Sequence, residues 1–251
     1  MKKKVIAFTI ADNSPVNQKL LKGFVNSLRK FHSEEELPLQ IIDQTKLDSI
    51  NDNMKFYRMT PLIARNLIGE YETVIKFDCD SIVTGNLSHL WEDYLYDVSC
   101  VLNGNPKEPA YQVWDIHPAD YMNAGLVVMT SHEFIYHWWK LCNTPHFNVY
   151  QFKEQDIMNI LYYYGDYEVN CLDRGDKWHG LVGKGWYQWV ELDQDKNFVL
   201  KKGDRVWPQD GDKIIKVVHF AGGNDPIKGN YRTMFTPEVS KYIDYLIGDK
   251  K

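Results

Sequence analysis

Closely spaced cysteines are absent from this 251-residue sequence. Its cysteines lie far apart, in segments typical of strand ends and helices, at Cys79, Cys100, Cys142 and Cys171. A disulfide framework would place cysteines at short, regular spacings, so we expect four reduced thiols. The cysteine pattern therefore predicts a reducing compartment and a cytoplasmic location.

The sequence also lacks any apolar run of the length that a membrane-spanning helix needs. Its first apolar run, Val5–Ala11, follows three lysines in the manner of a signal peptide, but it ends at Asp12-Asn13 without a small-residue cleavage site. A buried first strand explains this run better. We expect a soluble protein, or one at most peripheral to a membrane, with no transmembrane segment.

No basic block, internal repeat or low-complexity linker occurs in the sequence. The net charge of −5 is spread over the chain, which argues against electrostatic binding to nucleic acid. A chain of 251 residues can bury a large core as one domain. We therefore expect no nucleic-acid partner and a single domain over residues 1–251.

Apolar runs alternate with amphipathic segments along the chain. Val5–Ile10 is continuously apolar, as is typical of a strand covered on both faces, and Pro15 opens a segment with its leucines and phenylalanines on one side. This order predicts an α/β fold with a mixed, mostly parallel sheet flanked by helices. The predicted strands are Val5–Ile10, Leu39–Ile42, Thr73–Phe77, Val98–Leu102, Leu126–Met129, Tyr167–Leu172 and Ile214–Phe220. The predicted helices are the one opened by Pro15, then Pro61–Ile68, His132–Cys142, Ile157–Tyr164 and Val239–Ile247, whereas Lys177–Val190 and Lys201–Lys213 are predicted to be loops or hairpins.

Two carboxylates, Asp78 and Asp80, directly follow one of these strands. Carboxylates separated by one residue at a strand end can hold a divalent cation from one side, and hard oxygen ligands suit Mg²⁺ or Mn²⁺. In open α/β sheets, ligands bind beyond the carboxyl ends of the strands, so the position agrees with the chemistry. Taken alone, an Asp-x-Asp pair is more often an acidic turn that caps the next segment. Polar motifs further along the chain favour the metal site here.

A histidine, two glycines and a lysine follow the last predicted strand. Beside the two aspartates, His219 would supply a third ligand, because imidazole suits Mn²⁺ better than Mg²⁺. Gly222 and Gly223 allow the backbone to approach phosphate oxygens closely, and Lys228 adds a positive charge. Together with the aspartates, these residues describe a clamp for a diphosphate.

The order of the motifs resembles that of the retaining, metal-dependent GT-A glycosyltransferases of family 8, the group of glycogenin and the bacterial lipooligosaccharide galactosyltransferases. The resemblance runs from about Lys4 to Lys228, nearly the whole chain. The motifs that carry it are Asp12-Asn13, Tyr57-Arg58, the DXD motif Phe77-Asp78-Cys79-Asp80, Asn123-Ala124-Gly125-Leu126, Glu154-Gln155-Asp156-Ile157-Met158-Asn159 and His219-Phe220-Ala221-Gly222.

The resemblance implies a single GT-A (Rossmann-like) domain that transfers a hexose from a nucleotide-diphospho-sugar, expected to be a UDP-sugar, to a glycan or another hydroxyl acceptor with retention. Residues 1–122 would bind the nucleotide-sugar and residues 123–251 the acceptor. Mn²⁺ or Mg²⁺ would be held by Asp78, Asp80 and His219. Thr9, Asp12 and Asn13 would contact the base and ribose of the donor, and Gly222 and Lys228 its phosphates. Arg58 would reach the diphosphate or the sugar. Asn123 and Gly125 would line the sugar pocket, and Glu154 and Gln155 would lie near the anomeric carbon. The expected catalytic residues are Gln155, Glu154 and Arg58.

Two positions depart from the family pattern. Five residues separate Gly222 from Lys228, whereas the family lysine follows the His-Phe-x-Gly motif closely, so the role of Lys228 is open. Glu154 stands where the family most often has aspartate. It is either a catalytic carboxylate with a longer reach or a carboxylate at a helix N-terminus, favoured by the helix dipole.

Three alternatives remain at this stage. A glycine-rich aromatic segment with Trp178, Trp186, Tyr187 and Trp189 is either core or an acceptor platform. The Asp-x-Asp-Ser sequence also resembles the first motif of aspartate-nucleophile phosphatases, but there it normally ends the first strand. A catalytically inactive sugar-nucleotide-binding protein is the other possibility.

Overall fold

The computed structural model describes residues 3–49, 55–92, 96–102, 113–145, 149–172, 175–176, 186–188, 209–210, 213–219 and 237–248. Within them seven strands form one sheet: β1 (Lys3–Ile10), β2 (Leu39–Ile42), β3 (Tyr71–Asp78), β5 (Val98–Leu102), β6 (Met122–Met129), β7 (Val169–Cys171) and β8 (Gly175–Asp176). Their order across the sheet is β2-β1-β3-β6-β5-β7-β8. Strands β2, β1, β3, β5 and β7 point one way, and β6 and β8 point the other. The predicted mixed, mostly parallel sheet is confirmed.

Helices cover both faces of this sheet, which is why its central strands are apolar on both sides. One apolar cluster contains alternate residues of β1, β3 and β6 together with residues of the helices around Ile63, Trp138 and Met158; the other contains the intervening strand residues and Phe24. The helices are α1 (Pro15–Arg29), α2 (Gln44–Asp48), α3 (Lys55–Leu67), α4 (His89–Glu92), α5 (His132–Cys142), α6 (Glu154–Tyr164) and α7 (Pro237–Ile247).

A second, smaller sheet brings residues 213–219 back to the acidic pair. It consists of β4 (Ser81–Val83), β9 (Trp186–Gln188), β10 (Gln209–Asp210) and β11 (Lys213–His219). Strand β4 pairs antiparallel with β11, so that Ser81 lies opposite His219. Because β4 begins immediately after Asp80, this register places the last residue of β11 beside the acidic pair.

Several predicted bounds need correction. Strand β6 begins at Met122 rather than Leu126, so the Asn123-Ala124-Gly125 motif lies within it. Helix α3 begins at Lys55 and contains Pro61, where we expected a helix start. Trp186–Gln188, which we expected in a loop or hairpin, forms β9 and pairs in parallel with β11.

The four cysteines are unpaired, as expected. None of the helices built from the described residues has the length and apolarity needed to cross a membrane.

Candidate metal centre

Three side chains converge at the carboxyl end of β3. The ligand atoms of Asp78, Asp80 and His219 all lie within 4.8 Å of one another. His219 Nε2 lies 2.8 Å from Asp80 Oδ1 and 3.4 Å from Asp78 Oδ2. The imidazole is buried, whereas the two aspartates keep partial exposure. The site therefore has a closed histidine side and a carboxylate side that opens to solvent.

The charges at this site strongly affect one another. Burial raises the pKa of Asp78, but the positive charge of Lys76 and the interaction with His219 outweigh burial and hold the pKa well below its ordinary value. Burial lowers the pKa of His219, but Asp80 and Asp78 outweigh burial and raise it to about 9. Without a metal, the imidazolium is the counter-ion of the two carboxylates.

These residues fit a divalent cation. They offer two carboxylate oxygens and one imidazole nitrogen, a mixed hard and intermediate set that suits Mn²⁺ and also accepts Mg²⁺. The protonated nitrogen of His219 faces both carboxylates. A divalent cation can take the place of this proton and neutralise the same two negative charges. Asp78, Asp80 and His219 would hold the ion.

A buried lysine, which the sequence analysis did not identify, lies beside the acidic pair. Lys76 is only 4% exposed. Its Nζ donates hydrogen bonds to Asp78 Oδ1 and to the carbonyl oxygen of Ala124 on the neighbouring strand β6. The available signal was its spacing: residues two apart in a strand share a face, so Lys76 had to point to the same side as Asp78.

Strand β6 is irregular where it passes the site. Against β5, Val127 pairs with Cys100 and Asn123 pairs with Val101, which leaves residues 124–126 without partners on that side. Side chains satisfy the released backbone groups: Gly125 N–H donates to Asn123 Oδ1 at 2.6 Å, and Ala124 C=O accepts from Lys76. We call residues 123–126 the β6 bulge. Bulges of this kind often lie next to active sites.

Gly125 lets the β6 bulge pack directly against the metal centre. A Cβ atom on Gly125 would lie 2.2 Å from His219 Cε1 and 2.6 Å from Asn123 Oδ1. No side chain fits there unless one of these groups moves. The structure thus brings Gly125 against His219, and Asn123 bonds the backbone of Gly125; both residues were expected at the sugar.

The N-terminal turn of α6 supports the same bulge. Gln155 Oε1 accepts a 2.8 Å hydrogen bond from Ala124 N–H, and Gln155 Nε2 lies 3.4 Å from Tyr121 Oη. One turn later, Asn159 bonds both backbone groups of Met122. Gln155 therefore lies next to the predicted sugar pocket, with its carbonyl oxygen committed to the backbone of β6.

Glu154, the first residue of α6, carries a buried carboxyl oxygen. Its Oε2 has no hydrogen-bond partner among the described residues. Burial raises the pKa of Glu154 to about 8, although the charge of Lys76 opposes this shift. Arg58 lies on α3, which packs against α5 and α6.

The raised pKa of Glu154 predicts a pH-dependent gain in stability for Glu154→Gln. The unfolded carboxyl titrates near 4.5 and the folded one near 8, so between these values the unfolded chain binds fewer protons and wild-type stability falls as the pH rises. Glutamine does not titrate. We expect the metal-free variant to match wild type near pH 5 and to exceed it by a margin that grows to at most about 4 kcal/mol near pH 8.

Denaturant unfolding in chelator at several pH values tests this expectation. Glu133→Gln, in the first turn of α5 and largely exposed, is the matched control and should show no such trend. A stability difference for Glu154→Gln that stays constant from pH 5 to 8 would contradict a buried, protonated carboxyl.

The loop after β1 makes hydrogen bonds to the residues at the start of α1. Asp12 Oδ1 accepts from Ser14 N–H and from the Asn17 side-chain amide, each at 2.9 Å, and these bonds lower the pKa of Asp12. Asn13 is exposed. Thr9 is fully buried in β1, and its Oγ1 has no hydrogen-bond partner among the described residues. Asp12 and Asn13 lie at the carboxyl edge of the sheet, whereas the Thr9 side chain is buried in the core of the protein.

Several predicted site residues cannot be placed. Gly222 and Lys228 lie outside the described residues, and so do Trp178 and Trp189 of the aromatic segment. For Trp186 and Tyr187 only the backbone of β9 is described. Their predicted roles therefore stay predictions.

No protein-family model and no curated protein sequence matches this chain significantly. Solved structures of glycosyltransferases do match its fold. The galactosyltransferase LgtC in complex with donor and acceptor sugar analogs aligns with a TM-score of 0.63 at 15% identity, over 98% of this chain and 95% of that one. An active-site mutant of LgtC gives 0.64 at the same identity and coverage.

The apo structure of the bifunctional glycosyltransferase WbbM gives a TM-score of 0.58 at 15% identity, over 98% of this chain but only 52% of WbbM. This chain thus spans about half the length of that protein. At such identity the similarity establishes the fold: the chain has the α/β fold of these glycosyltransferases.

Proposed function

We propose that the protein is a metal-dependent GT-A glycosyltransferase of the family 8 type. It would transfer a hexose from a nucleotide-diphospho-sugar, a UDP-sugar, to a hydroxyl of a glycan or another acceptor, with retention. The observation that carries the proposal is the convergence of Asp78, Asp80 and His219 at the carboxyl edge of a fold shared with solved glycosyltransferases. Ligands of open α/β sheets bind at this edge.

The residues around the metal centre suit the departure of a diphosphate. A divalent cation bound by Asp78, Asp80 and His219 supplies positive charge that stabilises the leaving group. Lys76 holds Asp78, and Gly125 holds the imidazole of His219 by close packing. Such fixed charges favour a transition state because they need not reorganise as charge develops.

The proposed sugar pocket comprises the β6 bulge and the start of α6. Asn123 and Gly125 line it, Gln155 and Glu154 lie beside the anomeric carbon, and Arg58 reaches the diphosphate or the sugar. Gln155 bonds Ala124 through its oxygen, so its amide N–H groups are the part that can meet sugar or acceptor hydroxyls. Glu154→Gln separates the two roles of this carboxyl: near-normal kcat means a structural residue, and a large loss of kcat means a catalytic one.

The remaining assignments follow the family pattern. Residues 1–122 would bind the donor, with Asp12 and Asn13 beside base and ribose and Thr9 beneath them, and residues 123–251 would bind the acceptor. Gly222 and Lys228 would contact the phosphates. We propose a cytoplasmic location because all four cysteines are free thiols.

Screening nucleotide-sugars with and without Mn²⁺ tests the proposal. A donor near 100 times its Kd stabilises the native state by about 2.7 kcal/mol, which corresponds to a rise in Tm of roughly 5 °C or more for a domain of this size. We expect this rise with a UDP-sugar and Mn²⁺ but not in chelator, followed by release of UDP when an acceptor is supplied.

Each alternative gives a different result in this screen. Metal-dependent stabilisation without release of UDP, over a broad set of acceptors, indicates an inactive binding protein. Release of inorganic phosphate from phosphoesters indicates a phosphatase. No stabilisation by any nucleotide-sugar would contradict the proposal.

A further inference from the structure

We propose that Lys76 is a positioning residue that links the metal-binding carboxylate of Asp78 to the sugar-side β6 bulge. This inference deepens the proposed function and rests on it for the catalytic part. Lys76 follows Val74 and precedes Asp78 on one face of β3, and that face packs under the helices α3, α5 and α6. The lysine is buried at a position where the strand pattern calls for an apolar side chain.

An ammonium group at such a position is unfavourable unless it is paired and hydrogen-bonded. Lys76 meets both conditions, through the Asp78 carboxylate and the Ala124 carbonyl. An apolar residue would fill the same space without the cost of desolvating a charge. We therefore look for the benefit of Lys76 in the two groups that its hydrogen bonds hold in place.

The first bond fixes the orientation of Asp78. Lys76 binds Oδ1, and Oδ2 is then the oxygen that faces His219, at 3.4 Å. The Asp78 side chain is 41% exposed, so without Lys76 water would compete for both oxygens and several rotamers would be accessible. Lys76 thus selects which oxygen is presented to the cation.

The second bond holds the β6 bulge. Residues 124–126 have no pairing partners on β5, although Leu126 still pairs with Phe77 of β3. Lys76 bonds the Ala124 carbonyl, and Gln155 bonds the Ala124 N–H. The chain Asp78–Lys76–Ala124–Gln155 therefore joins a metal ligand to the residue proposed beside the anomeric carbon. Loss of Lys76 would release both ends at once.

Mn²⁺ affinity alone does not test this role. Losing the orientation of Asp78 weakens metal binding, whereas removing a neighbouring positive charge strengthens it. The diagnostic quantities are kcat at saturating Mn²⁺ and donor, and amide hydrogen exchange of residues 124–126 in chelator. The second needs neither metal nor activity.

Lys76→Met keeps an unbranched side chain only one atom shorter and removes the ammonium group. We expect exchange of the Ala124 and Gly125 amides to rise at least tenfold and kcat to fall at least tenfold. Lys76→Arg, which keeps the charge and the donors, should restore both to within about fivefold of wild type, a loss of about 1 kcal/mol or less. Lys4→Met, a largely exposed lysine on β1, is the matched control and should change neither. Should Lys76→Met not fold, Lys76→Gln, which keeps one amide group without the charge, replaces it in both measurements.

Unchanged exchange at residues 124–126 in the folded variant would overturn the link to β6, whatever happens to kcat. Raised exchange with a wild-type kcat would overturn the positioning role in transfer. If wild-type protein transfers no sugar in any assay, the proposed function fails, but the exchange measurement still decides whether Lys76 holds the bulge.

Discussion

Replacing Asp80 with asparagine is expected to abolish Mn²⁺ binding and to lower sugar transfer roughly a thousandfold or more, the loss for several kcal/mol of transition-state stabilisation. Asp80 contributes the oxygen closest to His219, at 2.8 Å. Its carboxylate is also the largest of the influences that raise the pKa of His219. The substitution replaces a charged ligand by a neutral amide and removes the charge that pairs with His219.

The fold should survive this change. Asp80 lies in the turn between β3 and β4 and is partly exposed, so an asparagine amide there remains solvated. Calorimetric titration with Mn²⁺ and a transfer assay measure the two effects, and Asp115→Asn, at an exposed turn position, is the control. Transfer at the wild-type rate in the variant, or by wild-type protein in excess chelator, would rule out the metal assignment.

The central sheet was predictable because its strands are short, apolar runs bounded by polar residues. Leu39–Ile42 and Val98–Leu102 match the observed β2 and β5 residue for residue. The start of β6 was not predictable, because Met122-Asn123-Ala124-Gly125 contains polar and small residues that disfavour a strand. Side chains from β3 and α6 stabilise this segment from outside, which a local pattern does not reveal.

The acidic pair could be recognised from its position at a strand end, and His219 could be named as its partner, but the strand pairing that joins them could not be predicted. His219 reaches Asp80 because β11 pairs with β4, and such a long-range antiparallel pairing leaves no local mark in the sequence. Lys76 was hidden in an apolar run. Its burial follows from the helices that cover that face of β3. Only the fold shows that its ammonium group has two acceptors, the Asp78 carboxylate and the Ala124 carbonyl.

Gly125→Ala is expected to disrupt the metal centre without touching a ligand. The new Cβ would lie 2.2 Å from His219 Cε1 and 2.5 Å from Nδ1, so the imidazole or the β6 backbone must move. The backbone is held by Asn123, Lys76 and Gln155. We therefore expect the imidazole to move away from Asp80, which weakens Mn²⁺ binding by about 10- to 100-fold, as loss of ligand orientation does elsewhere.

Overpacking should also cost about 1–3 kcal/mol of unfolding free energy. Gly69→Ala is the control, because its Cβ would meet only the Asn66 carbonyl oxygen, at 3.9 Å. The decisive variant is the double substitution Gly125→Ala with His219→Ala. Removing the imidazole makes room for the methyl group, so Gly125→Ala should cost less unfolding free energy in the His219→Ala background than in wild type, while Mn²⁺ binding stays weak. Equal loss of stability with and without the imidazole would show that the clash lies with Asn123, and that the glycine serves the bulge rather than the histidine.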